Sequence, residues 1–395
     1  MASSRLLCAA VASVLLALAL AAAPTHASAS RGALLSSHRI SRLSTADAKH
    51  LLHALTLPGA HVRYSVDAYR LRYATVGVDG RPTSATGLVA LPRTARRLPT
   101  VSYAHGTMAA RADAPSASLD SLAGASVMLF ASSGFPTVAP DYLGLGGGDG
   151  RHPYMHAASE ATASLDMLRA ARTFATRRHR PLRNDTLVTG FSQGAQAAMA
   201  FGRVLQADGD PRFRAARAPM SGPYAIEQAE FPAALAGRLD SLATNYYLSY
   251  GMRSWQPIYH VFNRESDVWQ PGWGPRVARL FDGRHDDVAI MKVLPRKLAQ
   301  LFTPAFLARI ARPDGGLLTA LRENDTTCDW KPAGPVRLYA ARGDHQVAFQ
   351  NSTLCAARLR DQGVDAPVLD MGAVDHFPST TKAAPRVLRW FASLR

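Results

Sequence analysis

Gly190-Phe191-Ser192-Gln193-Gly194 is a G-x-S-x-G run, and the chain holds no other match to that pattern. An apolar run, Thr186 to Thr189, precedes it and an Ala-rich stretch follows, so the serine is expected at a sharp strand-to-helix turn. Glycines suit such a turn, because a β-carbon on either side would crowd the strand or the helix. The helix N-terminus beyond it supplies partial positive charge and a free N–H beside Ser192. A serine hydroxyl is a weak nucleophile alone; it needs a base, and the base needs an orienting carboxylate. With the serine on this kind of turn, the partners come in the order Ser, acid, His, each on a loop after a later strand. Asp344, in Arg342-Gly343-Asp344-His345-Gln346-Val347, follows the run Val336 to Ala340. His376, in Val374-Asp375-His376-Phe377-Pro378, follows Pro367 to Asp370. The expected chemistry is acyl transfer, with Ser192 as nucleophile, His376 as base and Asp344 as acid.

The tetrahedral oxyanion of such a reaction needs two preset donors. One is expected to be the Gln193 amide and the other the Thr107 amide, with Gly106 as the alternative. His105-Gly106-Thr107 follows the run Thr100 to Ala104 and resembles the His-Gly motifs of esterases. His345 and Asp375 adjoin the proposed acid and base and are the rival partners. Asp141-Tyr142-Leu143-Gly144 is expected at the mouth of the site, in a structural or pocket-lining role. His152 and His156 are four apart, but Pro153 between them and the lack of an HExxH pattern argue against zinc. The glycine-rich run Gly144 to Gly150 has Asp149 where the last glycine of GxGxxG would fall, and no GK[ST] follows, so a phosphate cradle is not expected. Neither a metal nor a cofactor is implied.

These side chains need a scaffold that brings distant loops together. Short β-branched runs at Ala68 to Val76, Ser84 to Leu91, Thr100 to Ala104, Thr137 to Pro140, Thr186 to Val188, Ala216 to Met220, Val336 to Ala340 and Pro367 to Asp370 read as strands. Helical periodicity follows several of them, at Ala157 to Phe174, Gln193 to Leu205, Ser352 to Asp361 and Lys382 to Ala392. Alternating strands and helices predict an α/β fold with a mostly parallel central sheet and helices on both faces. The first two strands, joined by the turn-like Gly77 to Pro82, suggest an antiparallel edge. Between Pro223 and Lys331 the alternation stops; the text turns helical and aromatic, with Tyr246, Tyr247, Tyr250, Trp255, Tyr259, Phe262, Trp269 and Trp273. About a hundred residues without strands inside a sheet protein read as an inserted helical lid. Its aromatic residues suit acyl chains or sugar faces, and equally the packing of the lid's own core.

The chain has 395 residues, 47% apolar and 19% charged, which marks a globular protein. Met1 to Ala29 reads as a signal peptide: one early Arg, an apolar Leu6 to Ala23, and small residues at Ala27-Ser28-Ala29. The expected organisation is therefore signal peptide 1–29, core 30–222, lid 223–331 and core again 332–395, secreted to the extracellular space with no membrane span after cleavage. The net charge of +16 comes from scattered arginines, since only five lysines are present, and no nucleic-acid module is legible. With Cys8 lost in the leader, Cys328 and Cys355 remain. They can form one bridge, worth about 3.5 kcal/mol on the chain-entropy argument, or stay as two buried thiols.

Ala104-His105-Gly106-Thr107, Pro140-Asp141-Tyr142-Leu143-Gly144, His152-Pro153-Tyr154, Gly190-Phe191-Ser192-Gln193-Gly194 and Asp344-x-x-Val347 together resemble the α/β-hydrolase secretory lipase family. The likeness covers most of the chain outside the lid. It implies the α/β-hydrolase fold, the triad Ser192, Asp344 and His376, and a lid over the site. It also implies ester hydrolysis through an acyl-enzyme, on acylated plant cell-wall polysaccharide or on short-to-medium acyl lipid. Ala348 departs from the family, which usually has proline there. A serine peptidase on the same fold, or an inactive carbohydrate-binding relative using Trp255, Trp269 and Trp273 as platforms, are the alternatives.

Overall fold

The computed structural model describes residues 30–208 and 215–394. The expected leader, 1–29, lies outside the described residues. Among the described residues nine strands form one sheet: β1 (Leu34–Leu43), β2 (Val66–Val76), β3 (Pro82–Pro92), β4 (Thr100–Ala104), β5 (Thr137–Pro140), β6 (Thr186–Phe191), β7 (Arg217–Met220), β8 (Leu338–Ala340) and β9 (Val368–Asp370). Their order is β1-β2-β3-β5-β4-β6-β7-β8-β9. β1, β2 and β3 pair antiparallel and β3 meets β5 antiparallel, while every pairing from β5 to β9 is parallel. All six residues of β6 are buried, which is what a central strand covered on both faces requires.

Helices α1 (Thr45–Ala54), α2 (Leu122–Ser132) and α13 (His376–Ser393) lie over one face, and α3 (Ala157–Arg177) and α4 (Gln193–Ala207) over the other. Alternation along β3 serves both layers: Leu88 and Ala90 pack into the first, Val89 and Leu91 into the second. α12 (Gln350–Asp361) follows β8 and packs with the disulfide Cys328–Cys355, whose Cα atoms are 5.3 Å apart. Chain connections leave β4 toward β5 and β6 toward β7, in opposite directions across the sheet. The carboxyl ends of the adjacent β4 and β6 therefore flank a crevice, the usual place for a site in an open α/β sheet.

Between β7 and β8 the described residues form a π-helical turn, Ile226–Glu230, and seven helices: α5 (Phe231–Leu235), α6 (Ser241–Tyr259), α7 (Trp273–Leu280), α8 (Asp287–Val293), α9 (Leu298–Leu301), α10 (Pro304–Ala311) and α11 (Gly315–Asn324). They enclose an apolar core of their own, built from Tyr246, Trp255, Trp269, Phe302 and Leu317 among others. Trp255 and Trp269, expected as sugar platforms under one alternative, are 3% and 2% exposed and belong to that core.

Three elements escape the sequence reading. β1 is a largely exposed edge strand whose polar residues hide the alternation. α2, Leu-Ala-Gly-Ala-Ser-Val-Met-Leu-Phe-Ala-Ser, is buried at ten of its eleven positions, so no polar face betrays its period. α1 starts with a Ser44/Asp47 capping box. The last helix also begins earlier than Lys382: His376 is its first residue, not a loop residue, because Pro378 falls in the first turn, where no intrahelical N–H bond is lost. Among the described residues no helix is long and apolar enough to cross a membrane.

Candidate active site

Ser192 links β6 to α4 with φ 58° and ψ −125°, outside the ordinary regions for an L-residue. The packing around the turn enforces this. A β-carbon on Gly190 would lie 2.2 Å from the Gly194 carbonyl oxygen, and one on Gly194 would lie 2.1 Å from that of Ala104. The two glycines let α4 sit directly on β4 and β6, so the serine is pushed out at the carboxyl edge of the sheet. The Ser192 N–H donates to the Met220 carbonyl at 2.9 Å.

Three residues distant along the chain converge there. The Ser192 hydroxyl donates to His376 Nε2 at 2.9 Å, and the His376 Nδ1–H donates to Asp344 Oδ2 at 2.7 Å. The second oxygen of Asp344 accepts the N–H groups of Gln346 and Val347, both at 2.9 Å. The side chains of His376 and Asp344 are each 1% exposed, so the pair is shielded from water. The Phe191 ring lies 4.6 Å from the imidazole and restricts its rotation.

The two rival residues do other work. Asp375 is the N-cap of α13: its Oδ1 accepts the N–H of His376 at 2.8 Å and that of His345 at 2.9 Å. It thereby ties the acid loop to the helix that carries the imidazole. His345 itself is turned to solvent.

Gly106 and Thr107 line a cavity together with Ser192 and His376. His105 Nδ1 lies 2.7 Å from the Gly106 carbonyl oxygen. That contact fixes the plane of the peptide whose N–H belongs to Thr107. The Gln193 N–H is the first of α4 and has no partner within the helix. The Gln193 side chain points away, into a buried cluster that sequence reasoning missed. Its Nε2 donates to Glu160 Oε1 at 2.6 Å and to His152 Nε2 at 2.9 Å, while His152 Nδ1 donates to the Leu143 carbonyl at 3.0 Å. Burial pushes the Glu160 carboxyl up to about 8 and, with the nearby His105, the His152 imidazole down to about 3. Both ring nitrogens of His152 are thus engaged, and His156 Nδ1 accepts the Ser159 N–H at the start of α3. The signal for Glu160 in the sequence is faint: an acid inside an otherwise Ala-rich helical run.

Asp141 follows β5 directly and is fully buried, with its carboxylate taken by Thr86 Oγ1 at 2.5 Å, Ser116 Oγ at 2.5 Å and the Ser116 N–H at 2.9 Å. The glycine-rich run wraps this carboxylate. Gly146 has φ +55°, and a β-carbon on it would lie 2.2 Å from Asp141 Oδ2. Ala348, where the resembled family usually has proline, uses the N–H that proline lacks to donate to Glu230 Oε1 at 3.0 Å.

Ser192 stands between two cavities. One, of about 90 Å³, is predominantly apolar and lined by Met155, Ile226, Phe231, Leu248, Met252 and Trp255. The other, of about 220 Å³, holds His376, Gly106 and Thr107 on the core side and Tyr246, Asp287 and Met291 on the helical side. Tyr154 lines the smaller cavity and stacks on Tyr250 with ring centroids 4.3 Å apart, and its hydroxyl is 3.0 Å from Oγ1 of Thr107, a wall residue of the larger one.

No sequence-family profile and no curated protein matches the chain. Solved structures do. A protein from Legionella pneumophila described as a hydrolase superposes with a TM-score of 0.83 at 28% identity, over 91% of this chain and 97% of that one. The rice cell wall degrading esterase LipA from Xanthomonas oryzae gives 0.80 at 27% identity, over 93% and 98%. Candida antarctica lipase A, at 0.64 and 14% identity over 88% and 78%, shares the fold. With its nine-stranded sheet, the serine turn after β6 and these neighbours, the chain is an α/β-hydrolase of the lipase and esterase kind, a carboxylic ester hydrolase.

Proposed function

We propose that the chain cleaves esters by a two-step acyl-enzyme route in which Ser192 is the nucleophile, His376 the general base and acid, and Asp344 the residue that orients the imidazole. The observation that carries this reading is the unbroken hydrogen-bonded series from Ser192 Oγ through His376 to Asp344. Ser192 attacks the ester carbonyl as His376 Nε2 takes its proton. The carbonyl oxygen becomes an oxyanion, held by the N–H groups of Thr107 and Gln193. The carbon–oxygen bond to the alcohol then breaks as His376 returns the proton to the leaving oxygen. Water attacks the acyl-enzyme by the same path, and its proton passes through His376 to restore the serine. Asp344 keeps the proton on Nδ1 and stabilises the transient imidazolium.

Helices 223–331 form the lid of this site, and their wall residues make the far side of both cavities. The chain is exported: the leader-like 1–29 and the Cys328–Cys355 bridge both fit an oxidising extracellular setting. The substrate is an acylated plant cell-wall polysaccharide, by the likeness to the rice cell wall degrading esterase LipA, with acylglycerol as the second choice. Acyl release from wall material and from tributyrin, measured side by side on the wild type and on Ser192→Ala, tests the assignment. Loss of both activities in the variant is expected; turnover of either at wild-type rate would overturn it.

A further inference from the structure

The two cavities beside Ser192 differ in a way that decides which half of an ester enters each. His376 lines the larger cavity and not the smaller one. In ester cleavage the imidazole must hand its proton to the oxygen of the departing alcohol, so that oxygen must lie on the His376 side. The acyl group is left with the smaller, apolar cavity. On the alcohol side the wall presents two carboxyl groups. Asp287, the first residue of α8, is held by the Tyr246 hydroxyl at 2.7 Å and the Ala109 N–H at 2.9 Å, both of which end on Oδ1. Asp113 lines the same cavity. The charges acting on Asp287 are those of Asp113 and Asp286, and the charge acting on Asp113 is that of Asp286. Among the described residues that line it there is no Lys or Arg beside these two carboxyls, so the wall of the alcohol cavity is acidic.

Resting on the acyl-enzyme reading above, we propose that the cavity lined by His376, Asp113 and Asp287 is the leaving-alcohol subsite, and that it selects esters of hydroxyl-bearing alcohols over alkyl or anionic ones. A fixed carboxyl group rewards a neighbouring hydroxyl with a charge-assisted hydrogen bond and repels a carboxylate or phosphate at the same place. Burial pushes both carboxyls up, and the partner still fits, because a hydroxyl donates to an ionised carboxylate and accepts from a protonated one. An alkyl alcohol has no hydroxyl to make that additional hydrogen bond and forgoes its contribution.

The experiment uses three butyrate esters of alcohols of equal length: glyceryl, n-propyl and the anionic glycerate. The wild type should turn over the glyceryl ester with a kcat/KM at least about tenfold above the n-propyl ester, mainly through KM, and the glycerate ester worst of all. Asp287→Asn keeps the acceptor for Tyr246 and Ala109 and should lower the glyceryl-to-propyl ratio about tenfold; Asp113→Asn should lower it as well. Met252→Ala, in the apolar cavity, should shift preference toward longer acyl chains and leave that ratio alone. A wild-type ratio near unity, an Asp287→Asn loss equal on both esters, or an alcohol preference that moves with Met252→Ala would overturn the proposal. A wild type whose Ser192 is not labelled by a fluorophosphonate would instead overturn the serine mechanism beneath it.

Discussion

At the scale of single residues, the site separates into groups that do chemistry and groups that hold them. Ser192→Ala should lower kcat/KM on a p-nitrophenyl ester by about 10⁴-fold or more with little change in thermal stability, read by steady-state kinetics and a melting curve. Asp344→Asn should cost about 10⁴-fold in kcat, because an amide there permits the wrong tautomer of His376. Its fold should persist, since the backbone N–H groups of Gln346 and Val347 can still be accepted by the amide oxygen. In the proposed mechanism Gln193 serves twice: its main-chain N–H is one of the two oxyanion donors, while its side chain is anchored to Glu160 and His152. A neutral Glu160 suits this place, because an ionised carboxylate under the serine turn would be both desolvated and unpaired by any cation.

At the scale of elements, close approach between α4 and β4 is what exposes the serine. Gly194→Ala must therefore open that contact, since its β-carbon would stand 2.1 Å from the Ala104 carbonyl oxygen. Soluble yield and melting temperature should both fall, and a variant melting within a degree of the wild type would show that the contact yields easily. Asp375→Ala removes the cap of α13 and the tether of the acid loop together. The expected cost is about 1–2 kcal/mol in stability, measured by urea unfolding, together with a lower kcat. Asp375→Asn keeps an acceptor and should recover most of both.

For the whole molecule, buried ionisable groups set how stability varies with pH. Burial pushes Glu160 and Glu230 up to about 8 from the ordinary 4.5, and Asp325 up to about 7 from 3.8. The folded chain keeps these protons while the unfolded chain releases them at the lower values. Stability should therefore fall as pH rises from about 4 to about 8 and level off above. His152 acts on the other limb. It is held neutral down to about 3, whereas the unfolded chain takes up that proton below 6.5, so stability falls as pH drops from 6.5 toward 3. A melting temperature that peaks at mildly acidic pH is expected, with Glu160→Gln flattening the alkaline limb. Replacing Cys328 and Cys355 by serine should cost about 2–4 kcal/mol, read by denaturant unfolding with and without reductant.

Much of this molecule is legible before folding. The G-x-S-x-G turn announces itself because its glycines answer a local steric demand, and the core strands show through because a strand buried on both faces must be apolar throughout. Patterns fail where burial erases contrast, as in α2, or where exposure does, as in β1. Local chemistry also cannot reveal a partner supplied from far along the chain: Glu160 under Gln193, Asp287 across from His376, and Asp375 bridging the acid loop to α13. Spacing along the chain determined which residue types were available for catalysis; the reversal of connections between β4 and β6 decided which of them meet, because only the folded sheet brings those strand ends and the helices after β7 to one crevice.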